Sequence, residues 1–408
     1  MADGEPTVLP KVRLDDLIGL LGTEGYEVIG PRIEQAAVVY GPVQSARELP
    51  IGWTDRQAPG TYRLERRSDD AYFGFAVGPH SWKKYLFPPV LPLWHAQRTA
   101  AGVEVTAAAV DPPRRAFLGV RSCELHALAV QDRVFMNRDG RFTDPYYAAA
   151  RARLLLIAVE CEHPADTCFC ASMGTGPAVD VERIPRLAAA APAAGGPAAR
   201  VALPLAGPAP TAENAVCDLV LTELDDAFVA RAVSPAGQEL LDRLAVAAAA
   251  PEDVAEAQRR VAAAAQTLGR SVAAAGVREL LHRNQEHPRW DDVASRCLAC
   301  TNCTLVCPTC FCSSVEDVTD LSLESAERVR RWDSCFSPEF GRVHGGNFRP
   351  SVRGRYRQWL THKFASWFDQ FDVSGCVGCG RCITWCPVGI DVTEEIAAIG
   401  AADGRRGT

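Results

Sequence analysis

Apolar and polar positions alternate in blocks along the first half of the chain. Residues 117–120 and 154–159 are short apolar runs bounded by polar residues, the pattern of strands buried on both faces. Leu125, Leu128, Ala129 and Asp132 recur at helical spacing after the first run and predict a helix there. Residues 218–222 read as a further strand. Strand, helix and strand in succession predict an α/β domain over 1–235. Within it, 186–210 is rich in Ala, Pro and Gly, with little polar beyond two arginines, and reads as an exposed, variable loop. From 239 to 283 the period becomes helical. Leu240, Leu241, Leu244 and Ala248 repeat at that spacing, and Pro251 followed by Glu252 and Asp253 opens a second helix. The expected division is an α/β domain (1–235), a helical linker (236–290) and a cysteine-rich module (291–408).

Composition narrows the class. The chain has 408 residues, 48% hydrophobic and 23% charged, which suits a globular protein of two or three domains. A net charge of −7 argues against binding nucleic acid with the whole surface. Residues 1–11 lack the basic start, apolar run and cleavage site of a secretory signal. No apolar run reaches 18 residues, so no membrane span is expected and the chain reads as cytoplasmic. In that reducing compartment the sixteen cysteines are expected to bind metal or do chemistry rather than form disulfides.

Their spacing is the strongest signal. Cys297, Cys300, Cys303 and Cys307 stand at intervals of two, two and three residues, with Pro308 next; Cys376, Cys379, Cys382 and Cys386 repeat this, followed by Pro387. Two such runs are the mark of a ferredoxin with two 4Fe-4S clusters. Three thiolates on one tight loop can reach three irons of one cube. The fourth, beyond a short helical turn that the proline stops, points elsewhere and serves the other cube. One cluster is therefore assigned to Cys297, Cys300, Cys303 and Cys386, the other to Cys376, Cys379, Cys382 and Cys307. Gly375, Gly378 and Gly380 leave room for backbone amides near the second set of sulfurs. Zinc is the competing ligand, but zinc sites pair two short Cys-x-x-Cys units across a loop. The motifs are separated by 68 residues (308–375), more than a minimal ferredoxin needs, so this insertion must pack on something. The module is expected to be an α+β ferredoxin-like fold.

Further cysteines carry weaker signals. Cys123 and Cys161 each follow a predicted strand, and parallel neighbouring strands would bring both to the carboxyl edge of the sheet, where ligands bind. With Cys168 and Cys170 they make four thiols suited to a third 4Fe-4S cluster, against a zinc site or four small buried residues. Cys310, Cys312 and Cys335 are either part of another metal site, its fourth ligand unidentified, or packing near the cubes. Cys217 reads as core. Arg342, Arg349, Arg353, Arg355, Arg357 and Lys363 form a basic run with Phe348, Tyr356 and Trp359 interleaved, which raises nucleic acid as a ligand. The competing reading is a helix docked on a partner or balancing cluster charge, and it is preferred. No G-x-G-x-x-G or phosphate loop occurs, so no flavin or nicotinamide site is expected in this chain. No nucleophile–base signature occurs either, and a lone histidine such as His126 reads as structural.

Longer stretches carry a resemblance. They are Lys84-Tyr-Leu-Phe-Pro88, Gly119-Val-Arg-Ser-Cys123, Thr167-Cys-Phe-Cys170 and Asp218-Leu-Val-Leu-Thr222, then Cys307-Pro-Thr-Cys-Phe-Cys312, Arg331-Trp-Asp-Ser-Cys335 and Cys376-Val-Gly-Cys-Gly-Arg-Cys382. In these the chain resembles the beta subunit of cytosolic sulfhydrogenases, the electron-transfer subunit of NAD(P)-linked NiFe hydrogenases. It is also similar to the electron-transfer subunit of anaerobic sulfite reductase. The resemblance implies a non-catalytic relay subunit in an oxidoreductase complex. A flavin/NAD(P)-binding subunit would lie on one side, and the hydrogenase small and large subunits on the other. In the sulfite reductase alternative a sirohaem subunit stands at the far end. Two other classes compete: an iron–sulfur nucleic-acid-processing protein, motivated by the basic run, and a self-contained oxidoreductase with its substrate site in the N-terminal domain.

Overall fold

The computed structural model describes residues 4–136, 143–185 and 216–404; the Ala-rich segment expected to be a loop, 186–210, lies outside them. In chain order the strands used below are β1 (Thr7–Pro10), β2 (Glu27–Glu34), β3 (Ala37–Pro42), β4 (Trp53–Ala58), β5 (Thr61–Arg66), β6 (Val90–Thr99), β7 (Gly102–Ala107), β8 (Arg115–Val120), β9 (Leu154–Val159), β10 (Leu219–Glu223), β11 (Ala227–Ala232), β12 (Ala247–Ala248), β13 (Ser313–Thr319) and β14 (Ser325–Trp332).

Eight of them form the main sheet, in the order β12-β1-β11-β10-β9-β8-β2-β3. The four central strands, β10, β9, β8 and β2, are parallel, and the outer pairings are antiparallel. Alternate residues of the apolar runs feed opposite faces. Leu155, Ile157 and Val159 join one core, with Leu14, Leu17, Ile18 and Leu21 of the helix Leu14–Thr23. Leu156 and Ala158 join the other, with Leu125 and Leu128 of the helix Ser122–Phe135 and Tyr147 of the helix Pro145–Ala152. Helices thus cover both faces, which is why these strands are apolar throughout rather than alternating. Each such leucine, fully buried, contributes about 1.5–3 kcal/mol.

The segment expected to be a helical linker is built differently. The helix Pro235–Leu244 packs Leu240, Leu241 and Leu244 into the first core. Ala245 then takes φ +48° and ends it. Ala248 does not continue a helix: it lies exposed in β12, paired with Thr7 of β1. The free edge of β1 offers backbone partners, and these outweigh the helical preference of alanine there. Pro251 opens the helix Pro251–Gln266 as expected. The insertion between the cysteine motifs also finds a partner. β13 and β14 form a hairpin, and β14 pairs with β6 of the N-terminal half, giving a four-stranded antiparallel sheet, β13-β14-β6-β7.

A third core lies under the cysteine motifs. Trp290, Val293, Phe336, Trp359, Leu360, Phe364, Ile383 and Ile399 fill it, and five motif cysteines, with Cys335, pack against its edge. Among the described residues no helix is long and apolar enough to cross a membrane.

Candidate metal centre

The two motifs fold alike. Ala299 and Thr301 of the first loop have φ +51° and +71°; Gly378 and Gly380 of the second have φ +64° and +74°. These left-handed residues turn backbone N–H groups inward, and Ala299 N and Gly378 N each donate to the first sulfur of their loop, Cys297 and Cys376, at 3.4 Å. Left-handed Ala and Thr cost about 1–2 kcal/mol each, strain of the kind that gathers at functional sites. A single helical turn, Asn302–Leu305 or Arg381–Thr384, then separates the third cysteine from the fourth.

The fourth cysteines cross over. One cavity, about 430 Å³ with its mouth, is lined by Cys297, Cys300, Cys303 and Cys386. A second, about 360 Å³, is lined by Cys376, Cys379, Cys382 and Cys307. Cys382 also reaches the first, so the two spaces adjoin. All sixteen cysteines are free of disulfides. Burial, reinforced by neighbouring thiols, pushes Cys303 and Cys382 well above the ordinary thiol range, so cations must replace their protons if they are to be thiolates. Two buried donors on the wall of the first cavity, the Tyr356 hydroxyl and the Trp359 indole N–H, have no partner among the described residues. The sulfides of a cluster would accept from them. Among the described residues no three of His, Cys, Asp or Glu form a set suited to a single metal ion; the thiols instead surround spaces. The donor set and the spaces fit 4Fe-4S clusters.

The N-terminal thiols come to the same place. β8 and β9 are parallel neighbours, so Cys123 and Cys161 follow them at one sheet edge. Cys170 lies within electrostatic reach of both, and Cys168 of Cys161 and Cys170. Burial pushes all four thiols upward. This group abuts the second motif: the Cys168 thiol lies 3.6 Å from the Cys379 carbonyl, and Phe169 N donates to Gly378 O at 2.8 Å. That approach explains the glycines better than room for amides alone. A Cβ on Gly378 would sit 2.7 Å from the Cys170 backbone, and one on Gly380 2.5 Å from Thr167 O. Gly375 instead packs against the Trp367 ring.

Sequence reasoning did not identify the bond across this junction. Arg381, inside the second motif, is fully buried and pairs with buried Glu124 of the α/β domain. Its guanidinium also donates to Gly78 O and His80 O, at 2.8 and 3.0 Å, and lies close to the Cys379 sulfur. An arginine inside a metal motif with a glutamate one residue beyond Cys123 was the available signal.

Several members of the basic run pair internally. Arg353 pairs with Glu286 and Asp291, Arg357 with Glu286, and Arg342 with Glu339. Arg355 is buried against the carbonyls of Arg349 and Pro350. Tyr356 and Trp359 are core residues, whereas Phe348 is exposed. Lys363 is buried beside the second cavity, donating to Thr309 Oγ1 and Gly375 O, with the Cys307 sulfur close by. Cys310, Cys312 and Cys335 gather near this lysine. Cys217 is wholly buried in the second core. Burial holds His126 at about 4, neutral near pH 7. A separate polar cavity, about 550 Å³, opens at the sheet edge between Arg67, Glu162, Glu223 and Arg260.

Two comparisons found sequences similar to this chain. A family model described as a 4Fe-4S dicluster domain matches residues 296–390. The sulfhydrogenase 2 subunit beta of Pyrococcus furiosus is 29% identical over 373 residues, which cover 90% of this chain and 94% of that protein. No solved structure matches the chain.

Proposed function

We propose that this chain is an iron–sulfur electron-transfer protein of a larger complex, relaying electrons between the small and large subunits of a NiFe hydrogenase and a flavin/NAD(P)-binding subunit. The observation that carries the reading is the crossed lining of the two cavities, three thiols of one motif with the fourth of the other, twice. The similarity to a sulfhydrogenase beta subunit over nearly the whole chain supports the hydrogenase context over the sulfite reductase alternative.

Cys297, Cys300, Cys303 and Cys386 would hold one 4Fe-4S cluster, and Cys376, Cys379, Cys382 and Cys307 the other. Cys123, Cys161, Cys168 and Cys170 would hold a third beside Cys379. Clusters bound there supply one-electron redox chemistry. The chain's own part is to exclude water, to hold the thiolates at fixed spacing and to set potential. Ala299 N, Gly378 N and Ile390 N donate to Cys297, Cys376 and Cys386. Lys363 and Arg381 bring positive charge to Cys307 and Cys379. Such donors favour the more negative, reduced state.

Iron and acid-labile sulfide counted on anaerobically purified protein test the reading. About 8 irons per chain support two clusters and about 12 support three. Stoichiometric zinc with little iron would remove the proposal. Cys161→Ser together with Cys168→Ser should lower the count by about four only if the N-terminal thiols are ligands.

A further inference from the structure

The proposed ligand sets leave Cys310, Cys312 and Cys335 unused. Cys310 is buried beside Cys307. Cys312 and Cys335 are half-buried and face each other. The ladder brings them together: Ser313 pairs with Trp332, and Asp333 N donates to Cys312 O at 2.9 Å. Cys312 thus enters the hairpin where the chain leaving it reaches Cys335. The Cys335 backbone and thiol lie within electrostatic reach of Cys312. The turn carrying Cys335 is rigid, since Ser334 is buried, bonds Thr304 at 2.7 Å and accepts from Phe336 N.

Two buried ammonium groups stand beside this pair. Lys83 is 3% exposed, donates to Cys310 O and Leu305 O, and sits 4.0 Å over the Trp332 ring. Lys363, also 3% exposed, lies near both Cys307 and Cys312. Buried cations need anionic partners close by. Cys307 is one. Burial lowers the Lys83 ammonium to about 8. Cys335 is also within electrostatic reach of Cys303, a thiol of the first set.

We propose that Cys312 and Cys335 form a redox-active dithiol that closes to a disulfide and reopens, storing two electrons beside the first thiol set. The proposal rests on the electron-transfer reading, which names the reductant by class: reduced 4Fe-4S centres delivering one electron at a time. On reduction the S–S bond breaks, and two electrons and one proton are taken up. Cys335 keeps the proton as a thiol. Cys312 remains a thiolate beside the positive charge of Lys363 and Lys83. Oxidation runs the same balance backward: the bond forms, the proton leaves to solvent, and the electrons return to the centres. The lysines favour the open form, because closing it deprives them of an anion.

The experiment uses the cluster-loaded wild-type chain, held without oxygen at several ratios of reduced to oxidised dithiothreitol. Each sample is acid-quenched, denatured and labelled with N-ethylmaleimide, and its peptides are read by mass spectrometry. At oxidising ratios the peptides carrying Cys312 and Cys335 should be joined and unlabelled. At reducing ratios both should carry label, with the switch following a two-electron curve. Cys335→Ser should leave Cys312 labelled at every ratio and the iron content unchanged. Both thiols labelled throughout in the wild type would overturn the proposal. So would loss of about four irons, or of bound zinc, in Cys312→Ser or Cys335→Ser, since the thiols would then be ligands. Iron and sulfide counted on the same wild-type samples judge the electron-transfer reading separately.

Discussion

Replacing Arg381 with Met probes the junction between the two halves of the molecule. The variant keeps most of the stem and removes a fully buried charge. Glu124 is then stranded, 1% exposed, with the Tyr40 hydroxyl, the Trp82 indole and Arg121 N as its remaining donors. Removing one partner of a buried ion pair costs about 3–5 kcal/mol. Against a total stability of about 5–15 kcal/mol this is a large fraction. At about 2–4 °C per kcal/mol for a domain of this size, the melting temperature should fall by at least about 5 °C. Scanning calorimetry on anaerobic, iron-replete protein reads this directly. Glu124→Gln alone should also destabilise, by stranding the guanidinium. The double variant should be less damaged than the two single costs summed, because neither charge remains; the coupling should be about 0.5–3 kcal/mol. An unchanged melting temperature for Arg381→Met, or single costs that simply add, would refute the view that this pair joins the motif to the sheet.

Other outcomes follow from the same geometry. Gly380→Ala should destabilise by about 2–5 kcal/mol, from about 1–2 of left-handed strain and about 1–3 of overpacking against Thr167, whereas Gly22→Ala, with open space around it, should not; equal melting temperatures would contradict this. Cys300→Ser should lower iron by about four per chain, while Cys217→Ala, in the core, should lower stability and leave iron unchanged; iron loss in the second would break the assignment. Burial raises Glu162 from 4.5 to about 7, so the folded state holds its proton more tightly than the unfolded chain. That contribution is full below about pH 4.5 and is lost as pH rises through 7. Glu162→Gln should therefore stabilise at about pH 8, by up to roughly 3 kcal/mol, and the gain should vanish near pH 5. A gain independent of pH would show that the carboxyl is not the cause.

The local determinants were legible in the chain itself. The apolar runs at 117–120 and 154–159 are central strands because they are short, two-faced and flanked by polar turns. The cysteine spacing specified which thiols share a loop and which lie beyond a helical turn, and the cavities repeat that division. These features depend on backbone reach within a few residues, so linear order contains them.

What tertiary structure decided is everything that needed two distant segments at once. Ala248 left its helical period because the edge of β1 was available. The insertion between the motifs found β6, more than two hundred residues away. Arg353 and Arg357 of the basic run met Glu286 and Asp291, far off in sequence. Gly378 and Gly380 are needed because another loop lies against them, which no neighbour in sequence discloses. Arg381 and Glu124, and Cys312 and Cys335, acquire meaning only as pairs. Spacing along a chain fixes what is close through covalent geometry; burial, charge pairing and close approach depend on which surfaces the folded core presses together.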